Sequence, residues 1–238
     1  MTSSGAGLLV SLAAAGAYSY SFYYLNGMHV QKGFVDMIPK QLQVYGIFKF
    51  LTIQCLIIQL VSAILHVLAH FIRPLRGLRD LVFTALAFPV GSIVVYTFWL
   101  VWHTMGRESI FPAKLDAFYP VWLNHATHSI IAPINILLAL TINHRYYKNA
   151  VLVTLIYMLS YTIFLHVIKA QTGLFVYGYL NEINDTQRLV YFAATGLFVY
   201  LMYKFGQLLR YIAHGSGGSS RSQQTSTPTK KSKGQKQR

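Results

Sequence analysis

The sequence predicts an all-α membrane protein, a bundle of six transmembrane helices with both termini on the cytoplasmic side. Three observations lead there. Charged residues make up 11% of the 238 residues and hydrophobic ones 54%, whereas an ordinary soluble domain is about 25% charged. The stretches 50–71 and 149–168 contain no Asp, Glu, Lys or Arg, and each is close to the roughly 20 apolar residues that cross a bilayer. Basic residues also alternate between the connecting loops in a way that fixes orientation.

Taken in order, span one covers about 7–25 (GLLVSLAAAGAYSYSFYYL). Its AAAGA segment is reminiscent of a cleaved signal, but no basic residue precedes it, so a retained helix is expected. Span two covers about 48–71, span three 80–104, span four 120–142, span five 149–171 and span six 189–212. Pro89 should kink span three and Pro133 should bend span four, because proline removes a ladder hydrogen bond and crowds the preceding turn.

The 2–3 loop carries Arg73, Arg76 and Arg79, and the 4–5 loop Arg145 and Lys148. The opposite side has Lys32 and Lys40 in the 1–2 loop, Arg107 and Lys114 in the 3–4 loop, and Glu182 and Asp185 ahead of Arg188 in the 5–6 loop. The more basic side is cytoplasmic. The aromatic 5–6 loop, GLFVYGYLNEINDTQ (173–187), reads as an interfacial cover or lid on the outer side. Asn184-Asp185-Thr186 within it matches a glycosylation sequon.

The net charge of +14 does not indicate nucleic-acid binding. Six basic residues fall in the final 24 (215–238), which contain no acid. The expected division is a transmembrane catalytic domain, 1–214, and a disordered basic tail, 215–238, that contacts anionic cytoplasmic lipid. The single cysteine, Cys55, excludes an intrachain disulfide.

Polar groups inside apolar spans are costly and point to function. His125 and His128 lie three residues apart in FYPVWLNHATHSIIAP (118–133) and share a helix face. Thr52 enters span two from the same outer side, about 6 Å deep at the helical rise, against about 7–12 Å for the two histidines. Thr52 and His128 therefore meet if spans two and four pack together. The Thr52 hydroxyl has two readings: it returns to the carbonyl of Phe48, one turn back, or it is a nucleophile activated by a neutral histidine. Lys49 is either an interfacial anchor or an ammonium that holds a lipid carboxylate, a role Arg107 and Lys169 could share. Cys55 is a rival nucleophile or inert packing.

The remaining histidines admit a metal-based alternative. His66 and His70 (HVLAH) read as an interfacial pair near Arg73 or as metal or haem ligands, while His103 and His166 lie at a depth where they could join His125 and His128. No repeated histidine box occurs and carboxylates are scarce, so no metal or other cofactor is expected.

These residues, with KFLT at 49–52, LRD at 78–80, LAFPVG at 86–91, FW at 98–99, RExIxP at 107–112, LDxFxPxWLNHxxH at 115–128 and TGxxVY at 172–177, resemble the androgen-induced protein family, relatives of the androgen-dependent TFPI-regulating protein. The chain departs from the family pattern at Gly178, where a proline is expected after the last VY. The resemblance implies a six-span hydrolase that cleaves fatty acid esters of hydroxy fatty acids. It implies Thr52 of KFLT as the nucleophile and His128 of NHATH as the catalytic histidine. Lys49, Asn124 and His125 are then the expected substrate-binding residues, the lipid ester entering from the bilayer. Asp116 and Glu108 are either partners that orient His128 or structural groups of the 3–4 loop. The localisation expected is integral to the plasma membrane or the endoplasmic reticulum. Two other classes stay open at this point, a histidine-ligated membrane oxidoreductase and a non-enzymatic scaffold or receptor.

Overall fold

The computed structural model describes residues 4–29, 31–43 and 45–215, so the basic tail beyond Gly215 lies outside the described residues. The described chain is all-helical, with no strand among those residues. Its long helices are α1 (Gly5–His29), α2 (Leu51–Phe71), α3 (Arg73–Thr104), α4 (Val121–His128), α5 (Ile131–Thr141), α6 (Ala150–Thr172) and α7 (Asp185–His214).

Helices α2, α3, α6 and α7 are each long and apolar enough to cross a membrane, and α4 with α5 meets the same measure only as a pair bent by 43°, the form of a broken span or a re-entrant loop. The break falls at Ser129–Ile130. Ser129 is the residue whose carbonyl would clash with Pro133, so the bend lies where proline forbids a straight helix. Helix α1 has 25 residues but is not among these spans, its apolar content being diluted by Ser, Tyr and Gly.

Helix α1 packs along α2. Its buried residues Gly7, Ser11, Ala14, Tyr18, Ser21, Leu25 and Met28 recur at alternating steps of four and three, a single seam on a helix. Most of them are small, which lets two helices approach closely where lipid offers no hydrophobic drive to associate. Much of the outer surface of α6 and α7 is exposed apolar side chain, including Leu152, Ile156, Leu159, Leu189, Val190 and Leu201.

Helix α3 carries a π-turn at Phe83–Ala87, just before Pro89. Pro89 has no N–H for the Ala85 carbonyl, and Thr154 Oγ1 of α6 donates to that carbonyl instead. The Ala87 carbonyl accepts from Gln59 Nε2 of α2 (2.6 Å) and from Asn135 Nδ2 of α5 (3.1 Å). Gly91 permits this convergence: a Cβ there would stand 2.5 Å from Gln59 Nε2 and 2.7 Å from Ile131 Cγ2. One irregular turn thus joins four helices.

At the start of α3, Arg79 and Asp80 form a buried ion pair (2.6 Å). Arg79, counted in the sequence among the charges of the 2–3 loop, is buried beside this carboxylate. At the start of α7, Asn184 and Gln187 make a reciprocal capping box, each side chain bonding the other's backbone N–H at 2.9 Å. The asparagine of the sequon is committed to this cap.

Candidate active site

The geometry of the candidate site begins with two local features of the chain before α2. Gly46 adopts φ +58°, a left-handed conformation that favours glycine, and its carbonyl accepts from Lys49 Nζ. The first turn of α2 then has its orphan amide satisfied from other elements. Leu51 N–H donates to the hydroxyls of Tyr161 (3.0 Å) on α6 and Tyr177 (2.7 Å). Tyr161 in turn donates to the Lys49 carbonyl (2.9 Å).

That clamp sets Thr52 in the first turn of α2, facing α4. Thr52 Oγ1 lies 3.2 Å from His128 Nε2. The Phe48 carbonyl, which would take the hydroxyl in the purely local reading, instead accepts from Gln54 Nε2 (2.8 Å).

Three oxygens surround the other ring nitrogen, His128 Nδ1: Asn124 Oδ1 at 2.8 Å, the Asn124 carbonyl at 3.1 Å and Thr127 Oγ1 at 3.0 Å. Carbonyl oxygens only accept, so Nδ1 carries the proton and Nε2 presents its lone pair to Thr52. Phe98 stacks on the imidazole at 3.8 Å, and Trp99 Nε1 donates to the His128 carbonyl (2.9 Å). The ring is held by its hydrogen bonds and its stacking partner together. The result is a hydroxyl, a neutral imidazole and an amide in series, the arrangement that activates nucleophiles in unrelated hydrolases.

Thr52 and His128 open on a cavity of about 470 Å³, a volume within the usual range for small-molecule sites. It lies at the end of the bundle where α1, α3 and α6 finish and α2 and α7 begin, and its walls include Leu25, Met28, Ile93, Met158 and Leu165. Lys49 also lines it; this lysine is 0% exposed, and its Nζ sits 4.7 Å above the Phe50 ring. No carboxylate pairs with Lys49 among the described residues.

Two connecting segments cover the cavity, the one around Ser109–Lys114 and the one from Leu174 to Gly178. Ser109 Oγ donates to Glu182 Oε2 (3.0 Å), joining them. Gly178 belongs to this contact, since a Cβ there would stand 2.9 Å from the Ser109 carbonyl oxygen. The segment expected to be a lid is therefore a roof with a short helix, Gly178–Glu182, in it.

Other expected site residues lie elsewhere. Asn124 is not in the cavity wall; its side chain faces His128. Spacing carried that signal, since residues four apart meet on one helix face. His125 is exposed, contacts Ser129 Oγ (3.0 Å) and flanks Trp99 opposite His103. The expected shared face fails by a rotation: at about 100° per residue Asn124 and His128 lie about 40° apart on the buried side, and His125 is turned about 60° further, toward Ser129 and the exposed side. His166 approaches the Thr162 carbonyl (2.8 Å) on an exposed face of α6, so His103, His125, His128 and His166 do not gather.

Arg107 pairs with Asp116, Glu108 accepts from Ala113 N–H (3.0 Å), and Lys169 Nζ donates to the Gly173 carbonyl. These are structural ties within loops. His66 does not pair with His70; it is buried at the far end of α2, with Nε2 2.8 Å from His144 Nε2. No group of three or more His, Cys, Asp or Glu is placed to share a metal among the described residues.

Comparison with known proteins now bears on this geometry. The family model described as FAR-17a/AIG1-like protein matches residues 6–211. The chain belongs to that family. It is 31% identical over 182 residues to the human androgen-induced gene 1 protein, covering 69% of this chain and 76% of the relative. It is 28% identical over 205 residues to the human androgen-dependent TFPI-regulating protein, covering 82% and 87%. No solved structure matches. The family expected from the motifs is the one found, and the match contains every residue of the Thr52–His128–Asn124 series. The relatives' names refer to androgen and to TFPI, not to a reaction.

Proposed function

We propose that this FAR-17a/AIG1-like protein is an integral membrane ester hydrolase that cleaves fatty acid esters of hydroxy fatty acids, with Thr52 as nucleophile and His128 as general base. The observation that carries the reading is the 3.2 Å contact between Thr52 Oγ1 and His128 Nε2 at an apolar cavity. In the mechanism, His128 Nε2 takes the Thr52 proton as Oγ1 bonds to the ester carbonyl carbon. The tetrahedral intermediate collapses as the C–O bond to the hydroxy fatty acid breaks, and the proton on His128 passes to the leaving oxygen. Water, deprotonated by the same imidazole, then releases the second fatty acid from Thr52. General base catalysis of this kind contributes about 10²–10⁴-fold. Asn124 keeps the imidazole in the required tautomer and orientation.

Lys49 supports a substrate with a free carboxylate. A buried ammonium without a carboxylate partner is favourable only if something anionic approaches it, and the cavity leads from Lys49 to the Thr52 hydroxyl. The substrate enters from the bilayer, its apolar chains suited to the cavity wall.

In the membrane, α1 completes six spans, both termini face the cytoplasm, and the cavity lies beneath the outer headgroups. The membrane is the plasma membrane or the endoplasmic reticulum, and the tail beyond Gly215 contacts anionic lipid. A fluorophosphonate probe tests the enzyme directly: it should label wild-type protein in membranes and fail to label Thr52→Ala. Equal labelling of the two would remove the proposal.

A further inference from the structure

The proposed hydrolysis needs a donor for the negative charge that develops on the ester carbonyl oxygen, and a proton count around the first turn of α2 identifies one. Two tyrosine hydroxyls meet there, from Tyr161 and from Tyr177, the last residue of the TGxxVY motif. Each has one proton. Tyr161 uses its proton on the Lys49 carbonyl (2.9 Å), an acceptor that cannot donate in return. Leu51 N–H donates to both hydroxyl oxygens. Tyr177 is thus an acceptor toward the backbone, and its own proton is given to no protein acceptor among the described residues. Its contact with the Tyr161 hydroxyl, at 3.3 Å, has Tyr161 as the donor. That contact is longer than the usual 2.5–3.0 Å of an O–H···O bond (~2.7 Å at its commonest).

Tyr177 lines the same cavity as Thr52 and His128. Its oxygen takes the backbone N–H of Leu51, the residue before the nucleophile (2.7 Å), so the hydroxyl is held at the same first turn of α2 as Thr52. Backbone N–H groups that donate to a hydroxyl polarise it and make it a stronger donor. Burial pushes the Tyr177 phenol up to about 12, so it remains protonated across the neutral range.

We propose that Tyr177 is a catalytic residue whose O–H donates to the substrate carbonyl oxygen as Thr52 attacks. This rests on the hydrolase reading. In the step, the Thr52 Oγ1–carbon bond forms and the carbonyl π pair moves onto oxygen. The Thr52 proton goes to His128 Nε2, and Tyr177 keeps its own proton throughout.

The test compares Tyr177→Phe, Tyr161→Phe and Thr52→Ala in lipid nanodiscs, with thermal unfolding as a fold control. Tyr177→Phe should lower kcat by about 10²–10³-fold, the usual loss for one such donor, with KM little changed. Tyr161→Phe should mainly lower thermal stability. An inactive Thr52→Ala beside a Tyr177→Phe with wild-type kcat would overturn the role of Tyr177 and leave the hydrolase standing. A fully active Thr52→Ala would overturn both.

A second variant guards against misfolding. Trifluorotyrosine at 177 keeps the hydroxyl but ionises at lower pH. Stabilisation by a neutral O–H is lost as pH rises through its pKa, so the fluorinated protein should lose kcat at alkaline pH where wild type does not. Superimposable pH profiles would overturn the proposal.

Discussion

Asn124 Oδ1 lies 2.8 Å from His128 Nδ1, the shortest of the three contacts that together leave Nε2 free to act as a base. Replacing Asn124 by Ala leaves the Asn124 carbonyl and Thr127 near Nδ1 but frees the ring to turn. The variant should lose activity by about 10²-fold, the low end of what a positioned base contributes, and label with a fluorophosphonate correspondingly more slowly. Unchanged labelling would show that the ring is held without the amide.

Thr52→Ser keeps a hydroxyl one rotor away from His128 and should retain measurable hydrolysis. Thr52→Ala should fall by at least about 10³-fold, as loss of a nucleophile does in other hydrolases. The comparison is made on purified protein with a synthetic ester, and intact-protein mass spectrometry of the serine variant should reveal an acyl adduct.

Lys49→Met preserves much of the side-chain volume and removes the charge. It should raise KM for substrates with a free carboxylate and leave methyl esters of the same lipids unaffected. In wild type, esters remote from the carboxylate should be cleaved faster than those beside it. Equal rates along a positional series would disprove anchoring at Lys49.

Gly91→Ala places a methyl group against Gln59, Ile131 and Asn135. Overpacking of this kind costs about 1–3 kcal/mol, so the variant should unfold at lower temperature in detergent, by fluorescence or calorimetry. A wild-type transition would mean that the helices around the π-turn can separate without cost.

The long charge-free runs made α2 and α6 legible, because length and hydropathy determine them almost alone. The proline rule foresaw the bend near Pro133; at Pro89 it foresaw a kink, and the helix carries a π-turn within one continuous span. The approach of Thr52 to His128 was legible only as a matter of depth; their lateral proximity needed the packing of α2 against α4. Asn124 was assigned to substrate because an amide beside a catalytic histidine suits either use, and only geometry separates them. His66 with His144 lay beyond reach, since 78 positions separate the partners and no periodicity links a helix to a distant loop. Arg79 was misplaced for a similar reason: charge counting treats every arginine near a span end as solvated, and its pairing with Asp80 is invisible to it.

The His66–His144 bond has a mechanical consequence. Helix α2 is gripped at one end by tyrosines around Leu51 and at the other by an imidazole about 22 Å away along the axis. A rod fixed at both ends transmits torsion, so a substitution at His144 that lets the inner end roll would swing the Thr52 hydroxyl away from its base. Damage at that far end would then read out as lost reactivity at Thr52 with Thr52, His128 and Asn124 all intact.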